Sequence, residues 1–178
     1  MAPPSIIHTE RLTLLALTED RLKLYLAGGS AQLGEGERIS REILTPALRR
    51  AIELKLEKFS AFDPEDWLWI TYWLIKVPPQ SFGAGMIGYK GPPDQNGEVE
   101  VGYGIDPRFR SQGYTTEALV GLTAWAFSDP RCLRILAPET MRTNPASHRV
   151  LQKAGFRIYA ESSESISWCL DRLEGEVP

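Results

Sequence analysis

One segment of the chain combines residue types that can hold a phosphate group. Residues 106–115 read DPRFRSQGYT, between a predicted strand over 98–105 and a predicted helix over 116–127. The first N–H groups of a helix have no backbone partner, and the helix dipole adds partial positive charge beside them, so both attract an anion. Gly113 has no Cβ and lets a ligand approach the backbone, while Arg108 and Arg110 can add charged hydrogen bonds. The segment predicts a pyrophosphate-binding loop; the alternative is an ordinary strand-to-helix turn with incidental arginines.

Two better-known nucleotide loops are excluded by the same residues. No Gly-Lys-Ser or Gly-Lys-Thr follows, as a Walker loop requires, and one glycine after a late strand does not make a dinucleotide-binding fingerprint. The local charge agrees with an anion site: the chain has a net charge of −3, yet residues 106–157 carry 8 basic and 4 acidic side chains. The acidic total gives no indication of nucleic-acid binding.

The elements that must position this loop alternate between strands and helices. In the strand before the loop, residues 99, 101, 103 and 105 share an apolar face, and Glu98, Glu100 and two glycines share the other. Thr18 and the pair Thr45-Pro46 are typical helix starts. The predicted strands cover residues 11–17, 67–77, 82–89, 98–105, 133–137, 156–161 and 165–170, and further helices cover 116–127 and 147–154. This order predicts a mixed α/β fold.

Two further stretches bear on the acceptor side of a site. Residues 28–37 contain four glycines and few large apolar groups, which predicts a mobile loop. The predicted strand over 67–77 would place Trp67, Trp69 and Trp73 on one face, either as core or as part of an acceptor pocket.

The bulk properties favour one domain over residues 1–178. The chain has 178 residues, no apolar run of about 18 residues and no basic-then-apolar secretory signal at its start. Cys132 and Cys169 have no metal-like spacing, so we expect inert thiols, no metal and a cytoplasmic location.

The loop resembles that of the GNAT acyltransferase superfamily, whose pattern is Gln/Arg-x-x-Gly-x-Gly/Ala. Arg110 and Gly113 match, whereas Thr115 departs from the expected glycine or alanine. Other segments are similar to the ribosomal-protein-alanine acetyltransferase-like (RimJ/RimL-type) branch: TERLTL at 9–14 with LTED at 17–20, EVGY at 100–103 through YTTEA at 114–118, and NPAS at 144–147 with VLQKAGF at 150–156. The resemblance spans about residues 8–170. It implies a mixed, mostly antiparallel central sheet with helices on both faces and a splay between its fourth and fifth strands.

The resemblance also implies that acetyl-CoA lies in this splay. Asn144 is the predicted partner of the pantetheine amides, and a backbone N–H near Tyr103 to Ile105 is predicted to meet the oxyanion. The predicted acetyl-CoA residues are Tyr103, Ile105, Arg110, Ser111, Gln112, Gly113, Tyr114, Thr115 and Asn144.

Two side chains are predicted to move protons. Glu100 is the candidate general base, because the family often places an acidic residue on that strand, and Glu98 on the same face is the second candidate. The family's tyrosine acid is replaced here by Leu151, so Ser147, one helical turn earlier, is the candidate proton donor. The alternatives for Ser147 are a helix cap or a CoA contact.

The predicted function is direct transfer of an acetyl group from acetyl-CoA to a primary amine, on a protein N-terminus or a small molecule. Cys132 and Cys169 have no evident activating neighbour, which disfavours a covalent thiol route. The alternative is a non-catalytic acyl-CoA-binding module or sensor, since Leu151 and Thr115 depart from the family pattern. No nucleic-acid or membrane partner is expected, and a homodimer, common in the family, is neither required nor excluded.

Overall fold

The computed structural model describes residues 5–28, 38–78 and 82–173. Its strands are β1 (Ile6–His8), β2 (Thr13–Ala16), β3 (Trp73–Val77), β4 (Phe82–Tyr89), β5 (Glu98–Ile105), β6 (Arg134–Met141), β7 (Arg157–Glu161) and β8 (Ser165–Asp171). Its helices are α1 (Glu19–Leu26), α2 (Pro46–Lys58), α3 (Trp67–Ile70), α4 (Tyr114–Ser128) and α5 (Pro145–Lys153). Residues 29–37 of the predicted mobile loop lie outside the described residues.

Eight strands form one sheet in the order β1-β2-β3-β4-β5-β6-β8-β7. All neighbours are antiparallel except β5 and β6, which run parallel. Residues 98–100 pair with residues 134–136, and beyond these three pairs the two strands diverge. The mixed, mostly antiparallel sheet with a splay is therefore confirmed. The sequence did not predict β1, so the splayed strands are the fifth and sixth of the chain.

Helices cover both faces of the sheet, as predicted. On one face, Leu119 and Leu122 of α4 pack with Val99 and Val101 of β5 in the larger core. On the other face, α1 and α2 contribute to a second core that includes Met86 of β4. The alternation along β5 places Val99 and Val101 in the larger core, with Tyr103 and Ile105 packed against it.

Both predicted N-terminal caps are confirmed. The Thr18 hydroxyl accepts a hydrogen bond from the Arg21 N–H, and the Thr45 hydroxyl accepts one from the Leu48 N–H. These caps satisfy N–H groups that have no partner within a helix.

The predicted strand over residues 67–77 is wrong in its first half. Trp67–Ile70 forms the short helix α3, which continues a 3₁₀ turn over Pro64–Asp66, and only Trp73–Val77 is extended. The stretch is apolar at nearly every position, so neither a helical nor a strand period stands out. Trp69 and Trp73 are nevertheless buried core residues, with ring centroids 4.6 and 5.2 Å from that of Trp125.

Candidate active site

A cleft of about 390 Å³ lies where β5 leaves β6. It is bounded by the end of β5, the predicted phosphate loop, the first turn of α4 and one side of α5. Nine predicted site residues line it: Tyr103, Ile105, Arg110, Ser111, Gly113, Tyr114, Thr115, Asn144 and Ser147. Gln112 and Glu100 are not among its lining residues. The structure thus brings most of the predicted site together from three separate parts of the chain.

The phosphate loop presents the bare N-terminus of α4 to this cleft. Gly113 is the residue before the helix, and no side chain caps the first turn. Its φ of 81° lies in the left-handed region, which favours glycine. A Cβ at Gly113 would lie 3.2 Å from Nη2 of Arg11. The uncapped N–H groups, the helix dipole and the absent side chain therefore suit a bound anion.

The loop is tied from behind by a segment about a hundred residues earlier. Arg11 donates from Nη1 to the Gln112 carbonyl at 3.0 Å and from Nε to Oε2 of Glu117 at 2.7 Å. Its guanidinium also lies 4.8 Å from the centroid of the Tyr114 ring. The Thr9 hydroxyl and the Arg11 N–H both donate to Oε1 of Glu117. The TERLTL segment and the first turn of α4 thus meet in space, a contact that the sequence motifs did not predict.

The carboxylate of Glu117 is held in its charged form by these contacts. Burial raises the pKa of Glu117, but the hydrogen bonds from Thr9 and Arg11 together lower it by more. The pKa of Glu117 is therefore below its usual value. Gln112 faces away from the cleft: its side-chain amide donates to the Arg108 carbonyl at 3.1 Å. Its predicted contact with acetyl-CoA would therefore have to come from its backbone.

Beside the loop, the exposed edge of β5 supplies unpaired backbone groups. The backbone N–H of Asp106 donates to the Ala84 carbonyl, and the backbone N–H of Lys90 donates to the Glu100 carbonyl. The backbone groups of the even-numbered residues of β5 therefore bond to β4. In an antiparallel pair the intervening residues point the other way. The backbone groups of Tyr103 and Ile105 therefore point into the gap that β6 has left.

The first turn of α5 forms the wall opposite this edge. The Asn144 side chain accepts from the Ser147 N–H at 3.2 Å, so Asn144 is the cap of α5, and the alternative of Ser147 as its cap is wrong. The Ser147 side chain lines the cleft beside Tyr103. Oη of Tyr103 donates to the Ser147 carbonyl at 3.4 Å. Burial raises the pKa of Tyr103 to about 12, which keeps this phenol protonated.

Two basic residues of α5 were missed by the sequence analysis. Arg149 and Lys153 line the same cleft as Arg110, and no acidic side chain lines it. Their spacing of four residues in a helix was the available signal. His148, next to Ser147, has both ring nitrogens engaged: Nδ1 accepts from Nε1 of Trp168 at 3.1 Å, and Nε2 lies 3.0 Å from the Met141 carbonyl.

Glu100 lies on the opposite face of β5 from this cleft. It forms an ion pair with Lys90, and its side chain is 37% exposed. Glu98, the second candidate base, forms an ion pair with Arg134, whose Nη1 lies 3.4 Å from Oε1 of Glu98. On the same face, a Cβ added to Gly102 or Gly104 would meet nothing within 4 Å, so open space lies beside Glu100.

A second cleft, of about 520 Å³, lies just beyond the end of β5, at Asp106. It is lined by Arg38, Ile39, Ser40, Arg41, Glu42, Phe82, Asp106, Pro107 and Arg108. Asp106 is buried, and the bidentate Arg108 guanidinium holds the pKa of its carboxyl well below the usual range. Ser40 also donates to this carboxylate, which joins the segment after the glycine-rich loop to the end of β5.

The fold and the loop agree with a comparison of the sequence to protein families. Residues 11–157 match the acetyltransferase (GNAT) domain family. The chain belongs to the GNAT acetyltransferase family. The match includes the Arg11 segment, both splayed strands, the phosphate loop and α5, so all elements of the cleft lie within the GNAT domain.

Individual relatives are more distant. An uncharacterized N-acetyltransferase of Bacillus subtilis, YjdG, is 33% identical over 96 residues, which is 54% of this chain and 56% of that protein. The matched segment thus spans little more than half of that curated relative.

Solved GNAT structures cover nearly the whole chain. A structure described as a putative ribosomal-protein-serine acetyltransferase from Vibrio cholerae superimposes with a TM-score of 0.64 at 18% identity, covering 97% of this chain and 100% of that one. RimL, described as a ribosomal L7/L12 α-N-protein acetyltransferase in complex with coenzyme A, gives 0.65 at 15% identity, covering 93% and 97%. At these identities the likeness supports the fold.

The described residues also bear on membrane and metal binding. No helix among them is long and apolar enough to cross a membrane. Residues 5–28, 38–78 and 82–173 contain no group of three or more histidine, cysteine, aspartate or glutamate side chains placed to hold a metal ion.

Proposed function

We propose that this chain, as one GNAT domain over residues 1–178, is an acetyl-CoA-dependent N-acetyltransferase. It transfers the acetyl group directly to a primary amine, on a protein N-terminus or on a small molecule. The observation that carries the proposal is a single cleft in which the uncapped N-terminus of α4 meets the unpaired edge of β5. A cytoplasmic setting is part of the proposal, supported by two unpaired, buried cysteines.

The donor set of the cleft suits acetyl-CoA along its length. The amides after Gly113 and the guanidinium of Arg110 provide positive potential for a diphosphate. The edge of β5 at Tyr103 and Ile105 offers a donor and an acceptor in the spacing of a strand, which suits the amides of a pantetheine arm. When bound, acetyl-CoA supplies the activated thioester, and the protein supplies orientation.

Ser147 and Tyr103 lie together at the end of the cleft farthest along β5 from the loop. The Ser147 hydroxyl lines the cleft and can donate to a departing thiolate, so Ser147 is the proton donor in this proposal. Tyr103 holds the Ser147 carbonyl, which fixes the first turn of α5 relative to β5. An N–H of the same strand edge is positioned to stabilise negative charge on the acyl oxygen.

We propose that the amine approaches from the other face of the sheet. That face of β5 carries Glu100 and the open space over Gly102 and Gly104, and the cleft of about 520 Å³ lies just beyond the end of the strand. An amine must be neutral to attack, so a carboxylate beside its path can accept its proton, directly or through water. Because Glu100 faces away from the acetyl-CoA cleft, its role would be confined to the acceptor.

A substitution at Gly113 tests the acetyl-CoA site. In Gly113→Glu, a Cβ and a carboxylate occupy the space in front of the uncapped N–H groups of α4. We therefore expect acetyl-CoA binding to be abolished while the fold is retained. Gly28→Glu is a matched control, because Gly28 has a similar φ of 78° and nothing within 4 Å of an added Cβ. Isothermal titration calorimetry measures the acetyl-CoA affinity of both variants. Thermal melting measures the loss of stability that both variants should show, because each places a side chain at a positive φ. Unchanged acetyl-CoA affinity in Gly113→Glu would reject the loop as the binding site.

A second function, a non-catalytic acyl-CoA sensor, is favoured by Leu151, which stands where many relatives have a tyrosine. Thiol release measured with dithiobis-nitrobenzoate over a panel of peptide N-termini and small amines separates the two. We expect release above background with at least one amine. Tight acetyl-CoA binding with no amine-dependent release across the panel would support the sensor instead.

A further inference from the structure

Three cations of the acetyl-CoA cleft have no carboxylate partner among the described residues. Arg110, Arg149 and Lys153 form no ion pair within the described part of the chain, and no acidic residue lines their cleft. Elsewhere, seven arginines each form an ion pair with an acidic side chain: Arg11, Arg50, Arg108, Arg131, Arg134, Arg142 and Arg157. The acetyl-CoA cleft thus gathers three cations that no carboxylate of the described residues neutralises.

Arg149 and Lys153 lie on α5, whereas Arg110 lies in the loop before α4, so they approach the cleft from a different element. Arg149 and Lys153 are four residues apart in one helix, so they project from the same side, about 6 Å apart along the axis. Asn144 and Ser147 occupy the start of the same helix, beside β5. From Asn144 to Lys153 the helix advances about 13 Å, which carries the basic pair away from the thioester end.

We propose that Arg149 and Lys153 form a subsite for the 3′-phosphate of the CoA ribose. The inference rests on the proposed acetyl-CoA function and adds to it a ligand group that no loop motif addresses. The uncapped first turn of α4 and Arg110 serve the diphosphate. A phosphate monoester carries a further −1.5 to −2 charges or so at neutral pH, which two additional cations match.

The surroundings of the pair favour a ligand over a solvated surface role. A basic helix side exposed to solvent is commonly interleaved with acidic residues at spacings of three or four. In α5 the residues three and four positions before Arg149, and three positions before Lys153, are Ala146, Pro145 and Val150, so the helix itself supplies no carboxylate. The helix leaves both cations available at the rim of the cleft.

The subsite predicts a preference for CoA over 3′-dephospho-CoA, which lacks only this phosphate. Wild-type protein should bind CoA about 10-fold or more tightly than 3′-dephospho-CoA, as expected for losing two partly exposed charged contacts. In the double variant Arg149→Gln/Lys153→Gln, we expect CoA affinity to fall to that of 3′-dephospho-CoA, with the latter's affinity unchanged. Calorimetry with the two ligands measures this without any turnover.

Two variants separate the subsite from general loss of charge. Arg110→Gln should weaken both ligands by the same factor, because its partner is the diphosphate that both contain. Arg50→Gln removes an exposed arginine of α2, remote from the cleft, and should change neither affinity. The wild-type preference should also shrink in 0.5 M salt, since partly exposed charges are screened over a few ångströms.

The outcomes are distinguishable. Equal wild-type affinities for CoA and 3′-dephospho-CoA, or a preference that survives in the double variant, would overturn the subsite and leave the acetyltransferase proposal intact. Wild-type protein that binds neither ligand would overturn the proposed function and the subsite together.

Discussion

Replacing Arg11 by glutamine removes the side chain that ties the N-terminal segment to the phosphate loop. The backbone N–H of residue 11 and the Thr9 hydroxyl still donate to Glu117, so this carboxylate keeps two of its partners. What is lost is the pair of bonds from the guanidinium to Glu117 and to the Gln112 carbonyl, together with the contact with the Tyr114 ring. We expect a folded protein with a loosened loop.

The size of the effect follows from the exposure of these groups. The Arg11 side chain is 44% exposed, so its ion pair with Glu117 contributes only about 0.5–1 kcal/mol. The hydrogen bond to the Gln112 carbonyl adds about 0.5–1 kcal/mol and the cation–π contact with Tyr114 about the same. These contributions overlap, and we expect a loss of about 1–2 kcal/mol in unfolding free energy. If that energy holds the loop in its binding-competent form, the Kd for acetyl-CoA rises by up to about 5- to 30-fold.

Arg142→Gln provides a matched control. Arg142 is 41% exposed, donates to Oε2 of Glu161 at 2.6 Å and donates to the Ser162 carbonyl at 2.8 Å, so it loses similar contacts away from the cleft. Urea unfolding should show comparable losses for the two variants, whereas calorimetry should show weaker acetyl-CoA binding only for Arg11→Gln. Arg11→Lys should fall between, since it keeps the charge but not the planar group. Equal acetyl-CoA affinities in Arg11→Gln and Arg142→Gln would refute the positioning role and leave a purely structural one.

Three further outcomes are expected. Glu100→Gln should lower kcat about 100-fold with acetyl-CoA affinity unchanged, whereas Glu98→Gln should leave steady-state kinetics near wild type; a normal kcat in Glu100→Gln excludes it as the base. Dithiobis-nitrobenzoate should find no reactive thiol in native protein and two after unfolding, because burial raises the pKa of Cys132 to about 12 and also raises the pKa of Cys169. Burial lowers the pKa of Lys55 to about 7, so the unfolded chain binds more protons above that pH and stability should rise from pH 7 towards 10. Urea unfolding at pH 6.5 and 9 should show this rise in wild type and not in Lys55→Met.

The loop and its flanking elements were predictable because their signals are local. The alternation along β5, the glycine before α4 and the caps of α1 and α2 each depend on residues within a few positions of one another. Local backbone sterics and capping bonds decide such features whatever the rest of the fold does. The α3 segment shows the limit of this reasoning, since Trp67–Ile70 is apolar throughout and tertiary packing decides its conformation.

Contacts between distant segments were not predictable in the same way. The bond from Arg11 to the Gln112 carbonyl joins residues 101 positions apart, and a single sequence carries no local sign of it. The alternation along β5 placed Glu100 and Tyr103 on opposite faces, but it could not say which face α5 would cover. The sequence analysis therefore grouped the predicted base, Glu100, with the predicted acetyl-CoA-binding residues as one site. The structure places Glu100 on the opposite face of β5 from the acetyl-CoA cleft.

The divergence of β5 from β6 also makes this a sheet with an internal edge. Exposed strand edges attract further strands and promote aggregation, yet this one lies inside a cleft narrowed by α4 and α5, where a second polypeptide has little access. A slender ligand with amide groups can lie along it and complete the hydrogen-bond ladder as a surrogate strand. Only three residue pairs join β5 to β6, so ligand binding would strengthen the connection between the β1–β5 and β6–β8 portions of the sheet. Slower amide hydrogen exchange at Tyr103 and Ile105 in the bound protein would show this effect.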